Sequence, residues 1–226
     1  MRRVIVMVPI KTMLAHRANY GTKRGGPIEW LVMHYTSNDG DSGMSNARYF
    51  QKALNPVASA HYFVDDREIV QSVPDEYVAF HCGAYKYRHP FCRNYNSIGI
   101  EMCDAKRDGR VMATDKTIDN AADLAAMLCE KYNIPVDHII RHYDVTGKLC
   151  PKYWVDDPQG IVRFRNMVKE RIEMVSKCKM IIDGKEIEVE RILKDGTNYI
   201  KIRDIAKALD LEVSNKGNIP ILSHKQ

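Results

Sequence analysis

No stretch of the 226-residue chain reaches the roughly 20 consecutive apolar residues that a membrane-crossing helix needs, which excludes a helical membrane span. No block of five or more basic residues occurs, and this argues against a dedicated nucleic-acid arm. There is no CxxC pair, internal repeat or low-complexity segment. The six cysteines (Cys82, Cys92, Cys103, Cys129, Cys150 and Cys178) are irregularly spaced, and a chain of this size folds without disulfide staples, so most are expected to be free thiols. Cys129, in the helical pattern AADLAAMLCEKY, reads as a small buried hydrophobe. The opening MRRVIVMVPIKTML superficially looks like a secretory signal. Pro9 and Lys11 interrupt its apolar run and no small-residue cleavage site follows, so the expectation is synthesis in the cytoplasm without a cleaved signal.

What is present is an ordinary globular composition with a net charge of +5, which favours polyanionic partners without choosing among them. The run IEWLVMHYT, between Gly-Gly-Pro and Ser-Asn-Asp-Gly, predicts a buried strand. SNARYFQKAL predicts a short helix with Ser45 as its cap, and ASAHYFVDDREIVQSVP a hairpin around Asp65-Asp66. SIGIEMC predicts another buried strand and TDKTIDNAADLAAMLCEKYN the clearest helix. HIIRHYDV reads as a strand running into a loop, and DDPQGIVRFRNMVKERIEMV as a final amphipathic helix. The fold class is α/β: a mixed central sheet flanked by helices. His34, Glu101 and His142 then fall at or near the ends of three separate strands, where ligands collect in such folds.

The stretch HYDVTGKLCPKYW concentrates chemistry. His142 and Cys150, eight apart, can both reach one metal if the loop folds back, and His34 can supply a third ligand. Two imidazoles and a thiolate suit zinc. Taken singly, a strand-end His is more often a hydrogen-bonded structural residue; the combination is what points to a site. The competing reading makes Cys150 a nucleophile with His142 as its base. Against it, the thiol precedes Pro151 in a loop rather than at a helix start that would lower its pKa. Both readings stand on these residues alone.

LVMHYT, SAHYFVDD, VAFHCG, NSIGIEMC and HYDVTGKLCP follow the order and spacing of the type 2 zinc-dependent N-acetylmuramoyl-L-alanine amidases, a family that includes phage and bacterial cell-wall amidases and the peptidoglycan recognition proteins. The resemblance covers roughly residues 28–175. It implies zinc held by His34, His142 and Cys150, Glu101 as catalytic acid and base, and Lys148 as the basic residue beside the metal. It implies that His81 lies at the rim of a groove, where substrate or the metal-bound groups are contacted. Trp154 and Tyr153, just past Cys150, are expected to pack the loop against the last helix. One branch of the family has a catalytic Tyr just before the hairpin His; here that position is Ala60, so the chain is similar to the Glu-using branch and Tyr62 does not inherit the role. The implied reaction is cleavage of the amide between N-acetylmuramic acid and L-alanine, by an endolysin or autolysin acting at the bacterial cell wall after release. A peptidoglycan-binding protein without activity and a cysteine-nucleophile hydrolase are the alternatives.

After about Cys178 the texture changes to short strands, turns at Asp-Gly and Gly-Thr, and one short helix at Ile202–Leu209. The expected organisation is a catalytic domain over 1–175 and a small α+β module over 180–226. MIIDGKEIEV with NYIKIRDIAKALDLEV resembles the small stalk-type domain at the N-terminus of copper amine oxidases, without a His or Met cluster to hold copper. That resemblance implies wall attachment, through anionic wall polymers, or homodimerisation.

Overall fold

In a computed structural model of the chain the described residues are 8–107, 109–172, 176–194, 197–216 and 219–224. The expectations for residues 1–7, for the turn at Gly196 and for helix beyond 172 lie outside them. The chain divides into a compact unit that runs to Arg171 and a smaller one from Ile172 onward.

The larger unit is a mixed α/β fold on a six-stranded sheet. Its strands lie in the order Ile10–Thr12, Ile69–Gln71, Tyr62–Val64, Ser97–Met102, Trp30–Tyr35, Ile139–Arg141. All neighbours are parallel except Tyr62–Val64 against Ile69–Gln71, the hairpin expected from sequence. Its turn is held by Asp65, whose Oδ1 accepts from the backbone N–H of Arg67 and Glu68. Parallel strands are covered on both faces, which is why WLVMHY and SIGIEM read as apolar runs rather than alternations. Leu31, Met33, Phe63, Ile98 and Ile100 are essentially inaccessible, and each such side chain contributes about 1.5–3 kcal/mol of burial.

Helix Asp115–Tyr132 packs on strands Ser97–Met102 and Tyr62–Val64 through a stripe of buried Ala and Leu. Thr114 caps its start by accepting from Thr117 N, and Asn133, left-handed at φ 53, ends it. Helix Gln159–Ile172 is tied to it by Arg171, which bridges Asp119 and Asp123. Trp154 packs against Phe164 of that helix at 5.1 Å, as expected, while the Tyr153 ring meets Tyr35 at 5.6 Å.

The first helix differs from its sequence reading. It spans Gly43–Tyr49 and is capped by Ser42, with Ser45 closing the capping box. It does not continue to Leu54 because buried Asn19 takes the carbonyls of Phe50 and Lys52 and receives Leu54 N, so the backbone groups that would extend the helix are used elsewhere.

The smaller unit pairs Ser176–Ile182 with Lys185–Lys194, and the latter with Thr197–Ile200, all antiparallel. Asp183 and Gly184, both at positive φ, form the two-residue turn that Asp-Gly foretold. Helix Ile202–Ala208 and the hairpin of Leu211–Lys216 with Ile219–His224 complete it. Its core is thin: Val189 and Ala206 are its buried apolar residues among those described, and Ile181, Tyr199, Ile221 and Leu222 stay exposed.

Candidate functional site

The site is assembled by strand register. His34 lies directly opposite Glu101 on the neighbouring parallel strand, and Phe63 lies opposite Glu101 on its other side. Arg141 pairs with Met33, so His142, one residue further, arrives beside His34 with the rings 4.6 Å apart. The chain then departs from the expected strand-into-loop. The strand stops at Arg141 and His142 opens a helical turn, His142–Thr146, because Asp144 accepts from both the backbone and the guanidinium of Arg141. Gly147 at φ 89 ends that turn, and Tyr143 N donates to the Cys150 carbonyl, which brings the loop back. Pro151 follows Cys150 and caps a second helical turn, Lys152–Asp156, in the stretch read as a loop. One ligand atom each from His34, His142 and Cys150 lies within 4.8 Å of the others. This is the one such group of three found among the described residues.

Burial sets the chemistry of these groups. It drives the His34 pKa well below the usual imidazole range, and the neighbouring His142, His81 and Lys148 act in the same direction. Burial, then Lys148 and His81, pulls His142 down to about 3. Both rings are therefore neutral and offer lone pairs. Burial pushes the Cys150 thiol up to about 12, with Glu101 adding to the rise. Lys148 opposes the rise without reversing it, and a thiol held protonated is a poor nucleophile. His142 Nδ1 is buried with no hydrogen-bond partner, a costly state for a polar atom unless something accepts its lone pair. A buried, neutral, two-nitrogen and one-sulfur donor set with an orphaned nitrogen fits a divalent ion such as zinc.

Glu101 stands at the edge of this cluster, its Oε1 3.9 Å from His34 Nδ1, while its buried Oε2 has no partner. Burial pushes its pKa up to about 8, Lys148 opposes the rise, and Asp104 and Asp41 add to it. Glu101, exposed Lys148 and Cys150 together line one groove of about 680 Å³, whose lining also includes Asn38, Ser45 and Tyr49. The sequence-predicted residues His34, His142, Cys150, Glu101 and Lys148 thus share one place.

His81 does not sit at the rim. It is 9% exposed and lies behind His34, with Nδ1 3.0 Å from His34 Nε2 and Nε2 3.1 Å from Ser97 Oγ. Both ring nitrogens are engaged within the protein, one of them on His34, so the ring is buried and not at a rim. Ser97 was not singled out from sequence, since a serine opening an apolar strand carries no signal of a partner sixteen residues back. His61 accepts from Gly99 N at 3.0 Å and faces Tyr77 O and Arg24.

Comparisons with known proteins find relatives in sequence and in fold. The profile of a family described as N-acetylmuramoyl-L-alanine amidase matches residues 24–153. The chain is 34% identical over 200 residues to the N-acetylmuramoyl-L-alanine amidase CwlL of Bacillus licheniformis, covering 84% of this chain and 54% of that protein. It is 37% identical over 165 residues to BlyA of Bacillus subtilis strain 168, another protein of that name, covering 67% and 44%. The chain therefore spans about half the length of the curated relatives it matches. Among solved structures it is similar to PlyL, with 28% identity and a TM-score of 0.58 over 71% of this chain and 97% of that one. It is also similar to a mutant endolysin from Bacillus subtilis, with 26% identity and a TM-score of 0.57 over 72% and 99%.

Proposed function

The chain belongs to the N-acetylmuramoyl-L-alanine amidase family, and on that premise we propose that it is a peptidoglycan hydrolase that cuts the amide between N-acetylmuramic acid and the L-alanine of the stem peptide at the bacterial cell wall. The observation that carries the reading is the convergence of His34, His142 and Cys150 within 4.8 Å beside Glu101. His34, His142 and Cys150 would hold a zinc ion. When bound, zinc supplies a Lewis acid that makes water acidic enough to ionise near neutral pH and polarises the scissile carbonyl.

The protein's own groups do the rest. Glu101 accepts a proton from the attacking water and delivers it to the departing L-alanine nitrogen as the C–N bond breaks. Its free, buried Oε2 supports that role. Nearby positive charge, of which Lys148 is the protein's share, favours the carboxylate that a base requires. Lys148 Nζ stabilises the oxyanion of the tetrahedral intermediate. Replacing Lys148 by Met is expected to lower kcat by about two orders of magnitude with little change in metal content. Steady-state kinetics on a soluble muropeptide beside metal analysis reads this; an unchanged kcat would leave Lys148 as a solvated loop residue.

We assign the small C-terminal unit to wall attachment through anionic wall polymers, which would raise the local concentration of substrate. A chain ending at Ile172 should be released from insoluble walls at lower salt while keeping its turnover of soluble muropeptide. Equal retention, with a halved mass in sedimentation, would make the unit a dimerisation module instead.

The reading as a whole is tested by incubating the protein with purified peptidoglycan. Chelator should abolish cleavage and zinc should restore it. Tight binding without cleavage in the zinc-loaded protein would make this a recognition protein. Cleavage that ignores chelator but fails after alkylation would return Cys150 to the role of nucleophile.

A further inference from the structure

Behind the candidate metal ligands runs a chain of hydrogen bonds whose direction the far end determines. Ser97 Oγ lies 2.7 Å from the carbonyl oxygen of Arg93. A carbonyl only accepts, so the serine proton is committed to it. Ser97 Oγ therefore presents a lone pair to His81 Nε2, 3.1 Å away, and that nitrogen carries the ring's proton. In a neutral imidazole the other nitrogen must then accept. His81 Nδ1 receives His34 Nε2–H across 3.0 Å. His34 Nδ1 is left with its lone pair, and it is this atom that faces Cys150 Sγ at 3.8 Å. The thiol of Cys82 donates to Asn94 Oδ1 at 3.2 Å, reaches Ser97 only at 3.9 Å, and also lies beside the His81 side chain without displacing Ser97 from it.

The surroundings hold the relay in place. Asn94 Oδ1 also accepts from the backbone N–H of His81 and Cys82. Gly99 forms the wall against which the His81 ring lies, since a Cβ there would come within 2.5 Å of its Cγ. The ring planes of His34 and His81 stand at 87° with centroids 5.2 Å apart, and the two facing nitrogens are the closest approach at 3.0 Å. His81 is buried, and so is Ser97, so water does not compete for these bonds.

We infer that His81 and Ser97 are positioning residues that fix His34 in the Nε2–H tautomer, so that its Nδ1 is ready to bind the metal. The inference rests on the metal reading given above, but it concerns a tautomer present before any metal arrives. In a metal site the hydrogen-bond partner of a ligating imidazole orients the ring and raises its basicity, and removing such partners typically costs about 10–100-fold in metal affinity.

Two measurements on the full chain test it. Long-range ¹H–¹⁵N spectra of the metal-free protein should show His34 and His81 both protonated at Nε2. A His34 protonated at Nδ1 would overturn the relay, and this readout needs no variant. The second is zinc affinity by chelator competition, with thermal melting of the metal-free form as the control for folding. His81→Ala should weaken zinc binding about 10–100-fold. His81→Asn, whose Oδ1 can stand in for Nδ1 as acceptor, should recover a large part of the loss. Ser97→Ala should weaken binding less than His81→Ala and leave a mixture of His81 tautomers. Zinc affinity within about twofold of the parent in a folded His81→Ala would overturn the proposal. A parent chain that binds no zinc would instead defeat the metal reading and leave the tautomer result standing.

Discussion

Replacing Cys150 by Ser is expected to abolish zinc binding and amidase activity together, the larger of the two effects that dominate these expectations. The side chain is buried, and the two imidazoles beside it are neutral, so of the three proposed ligands only Cys150, as the thiolate a bound metal would stabilise, would bring negative charge. A serine hydroxyl does not ionise in reach of neutral pH and is harder than sulfur, so it replaces neither the charge nor the softness. The change is nearly isosteric, and burying an imperfectly bonded hydroxyl costs only about 1–3 kcal/mol, so the protein should remain folded. Elemental analysis of the purified variant should find the metal lost in parallel with turnover. Full metal occupancy with activity lost would make Cys150 a nucleophile. Full occupancy with activity retained would remove it from the site.

Glu101→Gln separates chemistry from metal binding. The amide keeps the size and place of the carboxylate opposite His34 but cannot take up a proton. Loss of a positioned acid–base group costs about 10²–10⁴ in rate. Turnover should fall by that factor while zinc content stays near that of the parent. A variant that turns over normally would take Glu101 out of the mechanism. One that loses zinc as well would make it a ligand rather than a base.

Much of the fold was legible because parallel strands buried on both faces announce themselves as short apolar runs between turn residues, as WLVMHY and SIGIEM do. The coincidence of His34, Glu101 and His142 followed from the same runs, since side chains at the ends of adjacent parallel strands share an edge of the sheet. Local competition was less visible. Asn19, more than twenty residues before the first helix, decides where that helix stops, and Asp144 turns His142 into a helical start. No periodicity within either segment records those bonds. The place of His81 was hidden for a similar reason. Its partners lie 47 residues before and 16 after it, and only the register of the folded sheet brings them together.

The most direct measurement is mass spectrometry of purified peptidoglycan after digestion by the zinc-loaded protein. Cleavage at the proposed bond gives stem peptides with a free L-alanine amino terminus and glycan whose muramic acid ends in a free lactyl carboxylate. Those two products, absent from the chelated control, are the expected result. Soluble fragments in which muramic acid still carries its L-alanine would place the cut elsewhere and contradict the assignment.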